Sequence, residues 1–158
     1  MRVVKYTELD IPIEVAFELR RRPSMLRFEA WPLVRFATKL PARWTVGDTV
    51  NLRSCRRNRS GRWGKAHNYY VTFTKIDPIN HVMVTKEHGG PVWSWQHTIS
   101  FMETEDGGCI LIDTIEIHAW PVTAAVCRFA GMYYLHRQAR LCAFADRWRR
   151  RMVRKQRK

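Results

Sequence analysis

Between residues 93 and 117 the side chains alternate so regularly that the segment reads as two antiparallel strands sharing one apolar face. Trp93, Trp95, His97, Ile99 and Phe101 fall on one side, and Ser94, Gln96, Thr98 and Ser100 on the other, because successive side chains of a strand leave opposite faces. Further along, Leu111, Ile115 and Ile117 also hold odd positions and bring Asp113 onto the same face. Pairing odd with odd requires an odd loop, so a three-residue turn of Asp106, Gly107 and Gly108 is expected. That register sets Asp113 opposite Phe101.

Period two extends backwards from this pair. Strands are expected at about Leu33 to Leu40, Thr49 to Cys55, Ala66 to Ile76, His81 to Lys86, Trp93 to Glu103 and Cys109 to Ala119, with Val3 to Leu9 as a seventh. Between the first two lie two short helical patterns. One starts near Asp10 and Pro12, where Asp can cap and Pro is pre-set for a first turn; the other starts at Pro23 and Ser24 and is ended by Trp31 and Pro32. From Pro121 the period becomes helical, with Val126, Ala130, Tyr133, Arg137, Leu141, Phe144, Trp148 and Met152 spaced by threes and fours. The expected fold class is therefore α+β: a seven-stranded curved antiparallel sheet around one long C-terminal helix.

A chain of 158 residues suits one domain, and 46% apolar with 12% aromatic residues is ample for a core. The net charge of +14 would suggest a nucleic-acid binder were it spread over the fold. It is not. Arg53, Arg56, Arg57, Arg59, Arg62 and Lys65 fall in one loop, eight more cations fall in residues 147–158, and neither segment holds an acid. The remaining 14 basic and 14 acidic residues cancel, so the body of the fold outside loop and tail is formally neutral; residues 1–146 are read as a ligand-binding domain that carries the basic loop, and 147–158 as a basic extension of the helix. No apolar run resembles a signal peptide or a membrane span, which points to a cytoplasmic protein. Cys55, Cys109, Cys127 and Cys142 are too scattered for a zinc knuckle or a disulfide framework. Glu116 and His118 face away from Asp113, no phosphate or dinucleotide loop is present, and neither a metal nor another cofactor is expected.

The segments WSWQHTISF, CILIDTIEIHAWP and YYLHRQARL, in this order and spacing, resemble the SRPBCC (START/Bet v 1-like) superfamily, and within it the polyketide cyclase/dehydrase-like branch. Trp95, His97, Asp113, Pro121, Tyr134 and Arg137 stand at the motif positions; Tyr134 replaces the usual Phe and Gln138 the usual His. The resemblance implies a helix-grip fold with a cavity between sheet and helix, and a hydrophobic ligand such as a lipid, a polyketide or another polycyclic compound.

Tyr69, Phe73, Trp93, Trp95, His97, Phe101, Asp113, Tyr133 and Arg137 are the candidate ligand-binding residues; each is equally at home in a packed core. His97, Asp113 and Arg137 are the catalytic candidates should the chain be a cyclase-type enzyme. Alternatively His97 is a core histidine, and Asp113 and Arg137 pair as a buried clamp, since an isolated buried charge costs several kcal/mol. Arg53, Arg56, Arg57, Arg59, Arg62, Arg149, Arg150 and Arg151 are candidates for weak contact with an anionic membrane or nucleic acid; alternatively they form a solvated loop and helix end. A monomer and a homodimer are both compatible with the sequence.

Overall fold

The computed structural model describes residues 1–56, 60–90 and 92–156. Strand β1 (Arg2–Leu9) is followed by helices α1 (Ile13–Arg20) and α2 (Pro23–Ala30). Then come β2 (Val34–Phe36), β3 (Thr49–Asn51), β4 (Ser54–Arg56), β5 (Tyr70–Asp77), β6 (Val82–Gly89), β7 (Val92–Glu103), β8 (Cys109–His118) and the helix α3 (Thr123–Gln156). Six strands form an antiparallel sheet in the order β1-β8-β7-β6-β5-β3, and β2 pairs with β4 in a separate two-stranded sheet.

This is the expected architecture with a different partition of strands. The predicted strand from Thr49 to Cys55 is broken at Arg53, whose φ is 40°. Asn51 bends the chain there by accepting the Arg53 amide on its side-chain oxygen at 3.0 Å, the local bond that lets Asn compete with a sheet ladder. β3 thus joins the large sheet and β4 leaves it. The strand predicted from Leu33 to Leu40 shortens to the three residues that find this partner. Helix α1 begins after Pro12 with no side-chain cap; Asp10 is exposed and forms an ion pair with Arg149 instead.

The β7–β8 turn keeps the predicted parity but slips by two residues. Thr104 and Gly108 close the loop through a 3.0 Å backbone bond, and Gly107, at φ 75°, takes the left-handed corner that suits glycine. Asp113 consequently opposes Ile99, and Phe101 opposes Leu111.

Helix α3 spans 34 residues, about 50 Å at 1.5 Å per residue. Its sheet-facing stripe is Cys127, Ala130, Tyr134, Arg137, Gln138, Leu141 and Ala145, all buried. The deepest residues at mid-helix are therefore Tyr134 and Gln138 as well as Arg137, while Met152 is exposed. Under the closed end of the sheet, Leu9, Ile11, Phe17, Met83, Phe101, Leu111 and Leu141 form a tightly packed core. Trp95, Ile115, Ile117 and Tyr134 form a second group, and Trp44, Leu52, Val71 and Phe73 a third. Among the described residues no helix is long and apolar enough to cross a membrane.

Candidate functional site

A cavity of about 340 Å³ separates the second and third apolar groups. Its strand walls follow from register. Val71 opposes Glu87, which opposes Trp95; Phe73 opposes Thr85, which opposes His97. Each of these rows puts its side chains on the concave face. From the helix side come Val126, Phe129, Tyr133, Tyr134 and Arg137. Exposed His67, Asn68 and Gly90 line its outer end. At Gly89 a Cβ would come within 2.5 Å of the Asn68 carbonyl oxygen, so only glycine lets β6 close against the start of β5 there.

The inner end is polar. Asp113, fully buried, accepts two hydrogen bonds from Arg20 Nη2 at 2.8 and 3.1 Å, one from Gln138 Nε2 at 2.8 Å, and one from His97 Nε2 at 2.7 Å. Glu29, also fully buried, accepts from Arg137 Nε and Nη2 at 3.0 and 2.9 Å and from Arg20 Nη1. Two guanidinium groups and two carboxylates thus balance one another out of water. Burial acts to raise the Asp113 pKa, but the Arg20 charge, the His97 hydrogen bond and the Arg137 charge outweigh it and hold the carboxyl well below its ordinary range. Arg137 is pushed the other way, further above its ordinary value: burial opposes its charge, and Glu29 more than compensates.

His97 is held at both ends. Since the Asp113 carboxylate can only accept, Nε2 carries a proton, and Nδ1 shares a 3.0 Å hydrogen bond with the Tyr134 hydroxyl. Burial and the charge of Glu87 raise the Tyr134 pKa well above its ordinary value, so the hydroxyl keeps its proton.

Of the residues anticipated from sequence, Tyr69, Phe73, Trp95, His97, Tyr133 and Arg137 line the cavity. Trp93 does not. The β6–β7 register shifts between Glu87 and Gly89, so Val92 takes the inward place and Trp93 is 68% exposed. Phe101 packs edge-on against Phe17 in the closed core, and Asp113 lies behind His97 outside the lining. Asp113 and Arg137 are not a direct pair, because Arg20 and Glu29 stand between them. Arg20, Glu29 and Glu87 were not foreseen, although Arg20 continues the α1 stripe of Ile13, Ala16 and Phe17, and Glu87 continues the Met83, Thr85 parity of β6. Arg53, Arg62, Arg149, Arg150 and Arg151 are exposed, and Arg56 lies in β4; Arg57 and Arg59 lie outside the described residues. Among the described residues, no three metal-ligating side chains come together.

Replacing Glu29 with Gln leaves two buried guanidinium groups sharing one carboxylate, and a loss of about 3–5 kcal/mol is expected in urea unfolding. Asp113 adds a pH dependence. With its folded pKa below the unfolded value of about 3.9, its contribution is complete above that value and is lost as the pH falls through and below it. Unfolding midpoints measured from pH 7 down to pH 3 are expected to fall less steeply for Asp113→Asn than for the unaltered protein.

No protein-family model matches the sequence, and no curated protein does. Solved structures match the fold. A Mycobacterium smegmatis protein superposes with a TM-score of 0.71 at 12% identity, over 90% of this chain and 89% of that one. A Chromobacterium violaceum protein gives 0.69 at 14%, over 91% and 96%. Ara h 8.0201 gives 0.66 at 8%, over 92% and 97%. The chain has the helix-grip fold of the Bet v 1-like proteins.

Proposed function

We propose that the protein binds or carries a hydrophobic small molecule, a lipid or a polycyclic aromatic compound, in the cavity between sheet and α3. The observation that carries this reading is the cavity itself. Its 340 Å³ is of ligand size, and its walls are mostly aromatic and aliphatic, with polar groups at the buried inner end and at the exposed outer end. Close-packed interiors rarely leave a void much larger than a water molecule, and each such void forfeits contacts. The helix-grip fold seen in the structural neighbours accords with the same reading.

Binding is favoured over cyclase-type catalysis by the state of His97. Both ring nitrogens are committed, Nε2 to Asp113 and Nδ1 to Tyr134. A general base must have a lone pair free for the substrate's proton, and here both ring nitrogens are engaged within the fold.

Native mass spectrometry of the purified protein is expected to reveal a bound hydrophobic compound, or its uptake after organic extraction. Val71→Trp places an indole in the cavity from the start of β5 and should abolish that binding while leaving the far-UV circular dichroism unchanged. A Val71→Trp protein that binds as the unaltered one does would overturn the reading.

A second surface is suggested by α3, which continues as a helix to Gln156 with Arg150, Arg151 and Arg154 exposed. Such a cationic end is suited to weak contact with anionic membranes. Cosedimentation with vesicles containing phosphatidylserine should fall steeply between low and physiological salt and vanish when residues 147–158 are deleted; salt-independent binding would exclude it.

A further inference from the structure

Four of the buried charges cancel, and one carboxylate is left over. Arg20 and Arg137 are matched by Glu29 and Asp113 through charge-assisted hydrogen bonds. Glu87 has no such match. Its side chain is only 11% exposed and sits on the concave face of β6 in the cavity wall. The groups that reach it are hydroxyls: Tyr69 donates to Oε2 at 2.7 Å and Thr85 to Oε1 at 2.6 Å. The single ion-pair partner within 4 Å among the described residues is His97, whose Nδ1 lies 3.9 Å from Oε1. That nitrogen also meets the Tyr134 hydroxyl, 3.0 Å away.

Arg20 and Arg137 line the same cavity but are already paired with Glu29 and Asp113, whereas among the described residues no lysine or arginine pairs with Glu87, so the unmatched charge in the wall is negative. An incoming positive charge is attracted, and an incoming carboxylate is repelled, by energies that grow as water is excluded. Burial and the neighbouring Glu87 push the Tyr69 and Tyr134 hydroxyls well above their ordinary range. Aromatic faces complete the environment. Arg137 already lies over the Tyr133 and Tyr134 rings, and Trp95, stacked with Tyr134 at 6.3 Å between ring centroids, adds a further aromatic ring to the wall; such a ring attracts a cation by its quadrupole.

We propose that the cavity selects hydrophobic molecules bearing an amine, seated with the ammonium group against Glu87, over neutral and anionic molecules of the same shape. The selection rests on the cavity-binding reading above and narrows its ligand class to hydrophobic amines.

Three bicyclic probes that differ in one group provide the test: 1-naphthylmethylamine, 1-naphthalenemethanol and 1-naphthoate, titrated by calorimetry at pH 7.5 into full-length protein freed of co-purifying ligand. The amine is expected to bind about ten-fold more tightly than the alcohol, and the alcohol more tightly than the carboxylate. In Glu87→Gln the advantage of amine over alcohol should shrink to about one-fold, with alcohol affinity retained. The ranking in the unaltered protein is decisive by itself, whether or not the Gln variant folds. An alcohol that binds as tightly as the amine, a carboxylate that binds more tightly, or an amine advantage that survives in Glu87→Gln overturns the inference and leaves cavity binding standing. If none of the three probes binds, the cavity reading falls with it.

Discussion

Arg20 reaches Asp113 with one nitrogen and Glu29 with another, and through those two contacts the end of α1, the end of α2 and the middle of β8 are fixed to one another. Arg137 and Gln138 add α3 to the same cluster, and His97 adds β7. Five elements thus meet on four charges. The desolvation penalty for each ion is several kcal/mol, and it is offset only when nearly every donor finds an acceptor at good geometry. An arrangement with any of these elements displaced would strand a charge in the interior. The cluster therefore specifies the relative placement of helices and sheet more than it adds net stability, and the apolar core beneath it supplies the burial that holds the fold together.

Strand parity and helix period made the fold legible from sequence, since both reflect which side chains leave water and neither depends on distant partners. The site was legible only in outline. His97, Asp113 and Arg137 stood out because each interrupts an apolar stripe. Asp113 and Arg137 were expected to meet because two opposite charges were visible and two more were not. Arg20 lies at the end of a helix of only eight residues, where a terminal arginine ordinarily extends into solvent, and Glu29 sits just before a tryptophan and a proline that mark a helix end. Apart from the place of Arg20 on the apolar stripe of α1, nothing local distinguishes them from surface residues; their distant partners, Asp113 on β8 and Arg137 on α3, lie 93 and 108 residues further along.

The failures on strands have a similar origin. Parity fixes the face of a residue only while the register holds, and a single shift between Glu87 and Gly89 turned Trp93 outward and Val92 inward. The turn slipped by two residues for a related reason. Parity excludes a shift of one but is blind to a shift of two, so Phe101 and Asp113 stayed on the right face with the wrong neighbours.

Because α3 repeats every 3.6 residues, the groups that line the cavity and those that join the ionic cluster occupy adjacent positions on one helical face. Tyr133 and Arg137 line the wall, Tyr134 lines it too and holds His97, and Gln138 one residue on binds Asp113. Arg137 belongs to both sets: its Nε and Nη2 are given to Glu29 while its side chain forms part of the cavity surface. A molecule in the cavity consequently presses on side chains whose positions are set by buried ion pairs, and it cannot move them without breaking charge-assisted bonds. The polar end of the cavity is in this sense preorganised, and little ordering cost remains for the ligand to overcome there. Whatever binds the folded state at this place also stabilises the cluster by mass action, so occupancy of the cavity and cohesion of the five elements are thermodynamically one equilibrium.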